Sequence, residues 1–294
     1  MELRAPRRED AAAVSQAGIR FGLADETTQD IEAWFDNPVM NMDEDARVAV
    51  RDDAIIGYAD VSDRSGVGKL IWIDVRADDE ALPGLLDFAE RRARAKGARG
   101  GKAKVWSPQH NAVWQSLLES RGFVFDSFSR RMRIALDDKL SAPEWPDGIS
   151  VRTYRRDEEE RAVYDAHQEA FSEEPDFEKD PYDEWVHWSY REPFDPELWF
   201  VATDGDEIAG IALCRPERGG DFNVGWVNIL AVRKPWRRRG LGKALLEHAF
   251  REFHARGKTH AGLGVDARNE DALALYGRAG MEVERSLLWY EKAL

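Results

Sequence analysis

The feature that most constrains this 294-residue chain is that much of it is written twice. The stretch from Leu3 to Asp10 (LRAPRRED) resembles that from Val151 to Glu158 (VRTYRRDE). Each reads as a short strand, a basic turn and an acidic start to an apolar-periodic helix, where carboxylates suit the positive end of the helix dipole. Further on, Ala46–Arg51 and Ala54–Val61 are strand-like runs around Asp52 and Asp53. Leu198–Thr203 and Glu207–Cys214 repeat them around Asp204, Gly205 and Asp206, a hairpin signal. Near the end of each copy an Asn opens a helix that stops at Gly: Asn111 to Gly122 and Asn269 to Gly280, with one spacing (122 − 111 = 11; 280 − 269 = 11). Repetition in this order predicts two tandem copies of one α/β (α+β) unit, each a mixed central sheet flanked by helices. Two unrelated α/β domains are the alternative. Asp137–Ile149, with Pro143, Pro146 and Gly148, reads as the connection. The expected division is a first domain over 1–140, a linker over 141–149 and a second domain over 150–294.

Composition narrows the function classes. An apolar fraction of 43%, with 11 Trp, fits a folding chain rather than a disordered one. A formal net charge of −14 argues against nucleic acid or an anionic membrane as partner and leaves a cationic one open. With Cys214 as its one cysteine, the chain forms no internal disulfide. The first ten residues lack the apolar run of a secretory signal, and no stretch approaches the roughly 18 apolar residues of a membrane helix. The expectation is a soluble, cytoplasmic protein with no nucleic-acid or membrane partner.

One segment carries chemistry. From Val232 to Leu246 (VRKPWRRRGLGKALL) a strand ends and a glycine-containing turn leads directly into a helix. Free N–H groups at such a helix start, with the positive dipole end, make an anion site, and Gly240 and Gly242 let a ligand approach the backbone. Arg233, Lys234, Arg237, Arg238, Arg239 and Lys243 crowd that start, where each cation is disfavoured by about 0.3–1 kcal/mol; a bound polyanion accounts for them, and a solvated basic turn is the other reading. A P-loop needs Gly where Arg237 stands and Ser or Thr where Ala244 stands. A dinucleotide fingerprint needs a small residue in place of Leu245. Both fail.

The run Arg237 to Gly242 (RRRGLG) matches the Arg/Gln-x-x-Gly-x-Gly/Ala signature of the GNAT superfamily of N-acetyltransferases. Downstream, Asn269, Ala272, Leu275, Tyr276 and Gly280 fall on that family's second motif, with Met281 in place of its usual aromatic residue. The whole second copy resembles this family in element order. The two-copy layout, with the stretch Phe194–Trp199 and the closing Trp289, is similar to tandem acetyltransferases of the mycothiol synthase type. The resemblance implies acetyl-CoA as cosubstrate, no metal, and a small-molecule amine as acceptor. It implies that Leu230, Ala231 and Val232 meet the pantetheine arm and that the loop Arg237, Arg238, Arg239, Gly240, Leu241, Gly242 and Lys243 holds the pyrophosphate. Asn269 corresponds to a coenzyme-holding residue, and Tyr276 to the tyrosine that protonates the departing thiolate. A mycothiol synthase-type reaction on a cysteinyl amino-sugar conjugate, or an acyl-CoA sensor without catalysis, are the alternatives.

Three further expectations follow. The family's strand glutamate, a general base, is missing from the stretch Gly225–Ile229, leaving Glu217, Asp221 or a water on Asn228 as substitutes. The first copy lacks the cradle: Asp78, Asp79 and Glu80 would repel a pyrophosphate, Pro83 removes a donor, and Leu118 stands where Tyr276 does (276 − 158 = 118). Lastly, Asp157 to Asp183 holds 12 acidic against 2 basic residues, a field that would draw in a cationic amine; carboxylates that only keep the surface soluble are the alternative.

Overall fold

The computed structural model describes residues 1–23 and 26–294. They form two compact units, Met1–Ser129 with Asp180–Ser189 and Ser286–Leu294, and Arg130–Lys179 with Tyr190–Arg285. In chain order the elements are β1 (Glu2–Arg4), α1 (Ala11–Phe21), α2 (Thr28–Phe35), α3 (Met42–Asp45), β2 (Ala46–Arg51), β3 (Ala54–Ser62), β4 (Leu70–Ala77), α4 (Leu82–Lys96), β5 (Lys102–Pro108) and α5 (Ala112–Ser120). There follow β6 (Val124–Ala135), β7 (Ile149–Thr153), α6 (Arg156–Phe171), α7 (Tyr182–Ser189), β8 (Trp199–Asp204) and β9 (Glu207–Arg215). The chain ends with β10 (Val224–Val232), α8 (Leu241–Ala255), β11 (His260–Asp266), α9 (Glu270–Arg278) and β12 (Glu282–Ala293).

The strand order is β1-β2-β3-β4-β5-β12 in the first unit and β6-β11-β10-β9-β8-β7 in the second. One pair in each is parallel, β4–β5 and β10–β11, set among antiparallel neighbours, so each sheet is mixed. Helices flank both faces. In the first unit Gly57 of β3 lies against Leu85 of α4, while Arg76 of β4 lies against Gly18 of α1 on the opposite face. In the second, α8 covers one face so closely that a Cβ on Gly225 would fall 2.3 Å from the Phe253 ring. Leu241, Leu245, Leu246, Phe250 and Phe253 are buried there, each contributing about 1.5–3 kcal/mol.

The repeated opening has one physical cause. Arg4 grips Asp10 with both terminal guanidinium nitrogens, and the Arg7 N–H donates to the same carboxylate. Arg152 grips Glu159 in the same way, and the Arg155 N–H donates to it. Each carboxylate ties strand, turn and helix start together. The repeated helices near the end are also built alike. Asn111 caps α5 through Trp114 N–H and Asn269 caps α9 through Ala272 N–H. Gly122 and Gly280 end them at positive φ, with Phe123 N–H returning to Leu118 and Met281 N–H to Tyr276.

The expected boundaries at 140 and 150 do not coincide with the two units. Leu287–Ala293 of β12 pairs antiparallel with β5 and so belongs to the first unit, and the stretch 141–149 lies inside the second. Helix α7 also belongs to the first, where His187 bonds the Ala33 carbonyl and Trp188 packs on Trp34. A period-2 pattern says that a strand forms and which face is apolar, not which neighbour completes its ladder.

The first unit buries one carboxylate beside a second that is part-buried. Asp60 and Asp74 face each other across β3 and β4, and Asp60, 1% exposed, accepts a hydrogen bond from Trp34 Nε1 at 2.7 Å. Burial, then the charge of Asp74, push the Asp60 carboxyl up to about 8. The native state therefore binds this proton more tightly than the unfolded chain, and its contribution to stability is lost as pH rises from about 4 to about 8. Asp60→Asn keeps an oxygen for Trp34 and should flatten that decline, raising the melting temperature at pH 8 above that of the unmodified protein. Melting curves across this range test it, and an unchanged slope would assign the decline to other groups.

Candidate active site

A cavity of about 760 Å³ opens in the second unit between β10, β11, α9 and the start of α8. Its origin is a ladder that stops. β10 and β11 pair in parallel for four residues, Val224↔His260 to Val227↔Leu263, and no further. At that point β10 bulges against β9, its register jumping from Val227 to Ile229. A bulge bends its strand and increases the local twist. Leu230, Ala231 and Val232 on one side, and Gly264, Val265 and Asp266 on the other, then line a wedge instead of pairing.

The glycine turn delivers α8 to the end of that wedge. Gly240 is the helix N-cap at φ 90°, a left-handed conformation that follows Arg238 at φ 61°. Having no side chain, Gly240 caps nothing, so the first-turn N–H groups face the cavity uncapped. Asparagine does that service for α9. Trp236, buried, holds the turn by donating from Nε1 to Asp204 at 2.8 Å.

The cluster of cations is organised differently from the sequence expectation. Arg237 donates from Nε to the Val232 carbonyl and from one terminal nitrogen to the Ala170 carbonyl, bracing the turn against β10 and α6. Its other terminal nitrogen meets Glu173, as does Lys234. Arg233 pairs with Glu169, Arg238 with Asp271 and Lys243 with Glu247. Arg239 turns to the Asp147 carbonyl and is absent from the cavity lining. The crowded cations thus have partners within the protein, while the start of α8 has no side-chain cap. The acidic stretch is correspondingly less free than expected: Glu169 and Glu173 neutralise the turn, and Asp176 meets Arg268.

Of the remaining residues singled out by sequence, Leu230, Ala231, Val232, Arg237, Arg238, Gly240, Leu241, Gly242, Lys243, Asn269 and Tyr276 all line this cavity. Asn269 is fully engaged, capping α9 with its oxygen and donating from Nδ2 to Glu174 at 2.8 Å. Ala272, Leu275 and Tyr276 project from one face of α9, as spacings of three and four dictate. Tyr276 is 8% exposed; burial, with the charge of Glu174, raises its hydroxyl to about 12. Asn228 lines the cavity, whereas Glu217 and Asp221 do not. His248 packs its ring on Phe200 and Trp145, and burial lowers its pKa, a core role. Burial likewise pushes the Cys214 thiol up.

Sequence reasoning missed Glu174 in the wall, and it missed the plug in the first copy. There too the parallel pair stops after four residues, Leu70↔Lys102 to Ile73↔Val105. Trp114, fully buried, then donates its indole N–H to the Trp106 carbonyl at 2.9 Å, satisfying backbone that the wedge leaves open. Its counterpart is Ala272 (272 − 158 = 114), so comparing the copies at that offset carries the signal.

A mixed sheet splayed at one parallel pair, with a glycine-capped helix behind it, defines an acyltransferase-type fold. Residues 160–281 match the acetyltransferase (GNAT) family, and this part of the chain is an acetyltransferase domain of that family. Over its whole length the chain is similar to a GCN5-related N-acetyltransferase from Sphaerobacter thermophilus, with TM-score 0.76 and 27% identity across 99% of this chain and 95% of that one. A tandem GNAT protein from the clavulanic acid biosynthesis pathway shares the fold, with TM-score 0.71 and 16% identity across 99% and 98%. Among curated relatives, the mycothiol acetyltransferase of Streptomyces bingchenggensis is 30% identical over 203 residues, 65% of this chain and 63% of that protein. The chain thus spans less than two thirds of that relative's length. The mycothiol acetyltransferase of Rhodococcus jostii is 26% identical over 265 residues, 82% and 80%.

A Cβ at Gly240 would meet nothing within 4 Å, so only the backbone angle penalises a side chain there. Gly240→Ala should cost about 1–2 kcal/mol. Gly264→Ala, also in open space but with no positive φ, should stay within about 0.5 kcal/mol of the unmodified protein. Urea titration of both variants reads the difference, and equal stabilities would contradict the left-handed cap.

Proposed function

We propose that this protein is an acetyl-CoA-dependent N-acetyltransferase that acetylates the primary amine of a small molecule by direct attack, with Tyr276 as general acid. The observation that carries this reading is that one cavity joins the open β10–β11 wedge, the uncapped start of α8 and the buried Tyr276 hydroxyl. The second half carries the catalysis and the first is its fold-retaining, inactive partner.

The residues fit the coenzyme. The wedge leaves backbone donors and acceptors of Leu230–Val232 without a strand partner on the β11 side, as an amide-bearing pantetheine arm requires. The N–H groups of the α8 start suit a pyrophosphate, and Gly242 sits so close to Leu275, 3.1 Å from an added Cβ, that a side chain there would intrude on α9. Bound acetyl-CoA supplies the thioester. Tyr276, raised to about 12, keeps its proton at neutral pH, the form a general acid needs when a thiolate leaves. Asn269 contributes by fixing α9, and Tyr276 with it.

A second reading, acetylation of a cysteinyl amino-sugar conjugate, is favoured by the mycothiol acetyltransferase relatives that cover most of the chain. Free CoA released from acetyl-CoA, followed with glucosamine, spermidine, a lysine peptide and a cysteinyl glucosaminide in parallel, distinguishes the two acceptor classes. Binding of acetyl-CoA with no release for any amine would leave the acyl-CoA sensor.

Acetyl-CoA at a hundred times its Kd should add about 2.7 kcal/mol of folding stability, and Gly240→Val should abolish that gain. Retention of the full thermal shift in Gly240→Val would misplace the cradle. Tyr276→Phe keeps the ring and deletes the acid, so turnover should fall by about 10²–10⁴-fold with the thermal shift preserved. An unchanged rate would return Tyr276 to the core.

A further inference from the structure

The strand that carries a glutamate base in related sequences offers none here, since Asn228 is the polar residue of β10 that reaches the cavity. Among the described residues three carboxylates line the cavity: Asp266, Asp271 and Glu174. Asp266 is bonded to the Arg268 guanidinium and Asp271 to that of Arg238. A carboxylate held by a guanidinium is a weak proton acceptor, because the cation favours its charged form. Glu174 differs. Its Oε1 accepts from a neutral amide, Asn269 Nδ2 at 2.8 Å, and it is half-buried in the same wall as Tyr276.

We propose that Glu174 is the proton acceptor for the attacking amine. This rests on the N-acetyltransferase reading. The Glu174 carboxylate takes one proton from the ammonium nitrogen, holds it while the C–S bond breaks and then passes it to solvent. The freed nitrogen pair forms the C–N bond as the C–S bond breaks. Tyr276 gives its proton to the departing sulfur, and the second nitrogen proton restores the phenol. One proton leaves per turnover, as acetylation of an ammonium requires.

Acid and base are coupled by charge. The negative Glu174 carboxylate helps hold the Tyr276 proton. A proton arriving at Glu174 removes that charge and makes Tyr276 the better acid at the moment the sulfur needs it. The groups facing Glu174 are Asp266 on β11, Arg268 after it, Arg237 on the glycine turn, and Glu173 beside it; burial, then Asp266, raise its pKa above the ordinary carboxylate range.

Glu174→Gln separates proton transfer from architecture, because the amide oxygen still accepts from Asn269. The full chain is assayed with acetyl-CoA and whichever amine among glucosamine, spermidine, the lysine peptide and the cysteinyl glucosaminide turns over fastest. Glu174→Gln should keep the acetyl-CoA thermal shift and lose about 10²-fold or more in kcat/KM. It should also lose the acidic limb of the pH profile, which in the unmodified protein falls as pH drops through the raised Glu174 pKa. Glu174→Asp should recover part of the rate together with that limb. An unaltered rate and profile in Glu174→Gln overturns the proposal. So does a rate loss matched by loss of the thermal shift, which would make Glu174 a wall residue only. No turnover of any amine by the unmodified protein sinks the N-acetyltransferase reading and this proposal together.

Discussion

A parallel ladder that ends after four residue pairs is the constraint on which the second half depends. Had β10 and β11 stayed paired beyond Val227 and Leu263, Leu230–Val232 would spend their outward N–H and C=O groups on β11. The bulge at Asn228 prevents this by turning β10 out of register with β9 just where the pairing stops. Open backbone inside a sheet is costly unless something satisfies it. The first unit shows one solution, the Trp114 indole on the Trp106 carbonyl. The second places Ala272 at that point and leaves the groups without a partner on the β11 side.

How far the sequence could be read follows from which features are local. Gly240 and Gly242 were legible as a glycine turn leading into a helix, whereas the left-handed cap and the close approach to α9 emerge only from the structure. Asn269 with Gly280, and Asn111 with Gly122, were legible because capping acts over three to five residues. The residence of β12 in the first unit was not, since its pairing with β5 joins positions nearly two hundred residues apart. Nor was the disposition of the arginines. Arg237, Arg238 and Arg239 are neighbours in sequence, yet one braces the turn, one meets Asp271 at the surface and one leaves the site altogether. Side-chain direction on a turn is set by tertiary partners, of which a charge count holds no record.

The same distinction separates the two carboxylates of the loop after α6. Glu173 and Glu174 are adjacent and identical, but Glu173 lies exposed between Lys234 and Arg237 while Glu174 sits half-buried against an amide. Their pKa values are driven apart accordingly, Glu173 down by its two cations and Glu174 up by burial. Position alone thus gives two like groups opposite proton affinities.

The paired cations also bear on how an anion could enter. Exposed ion pairs are worth about 0–1 kcal/mol each, because water and salt screen them and two side chains must be held in place. Lys234 with Glu173 and Arg238 with Asp271 are of this kind. They offset part of the glycine turn's positive charge through weak contacts rather than strong ones. Arg237 is different, because its hydrogen bonds to the Val232 and Ala170 carbonyls hold β10 and α6 together whether or not Glu173 stays. The backbone that presents the N–H groups is therefore held independently of the carboxylate pairs. Pre-organised donors of that sort bind an anion without the cost of assembling the site around it.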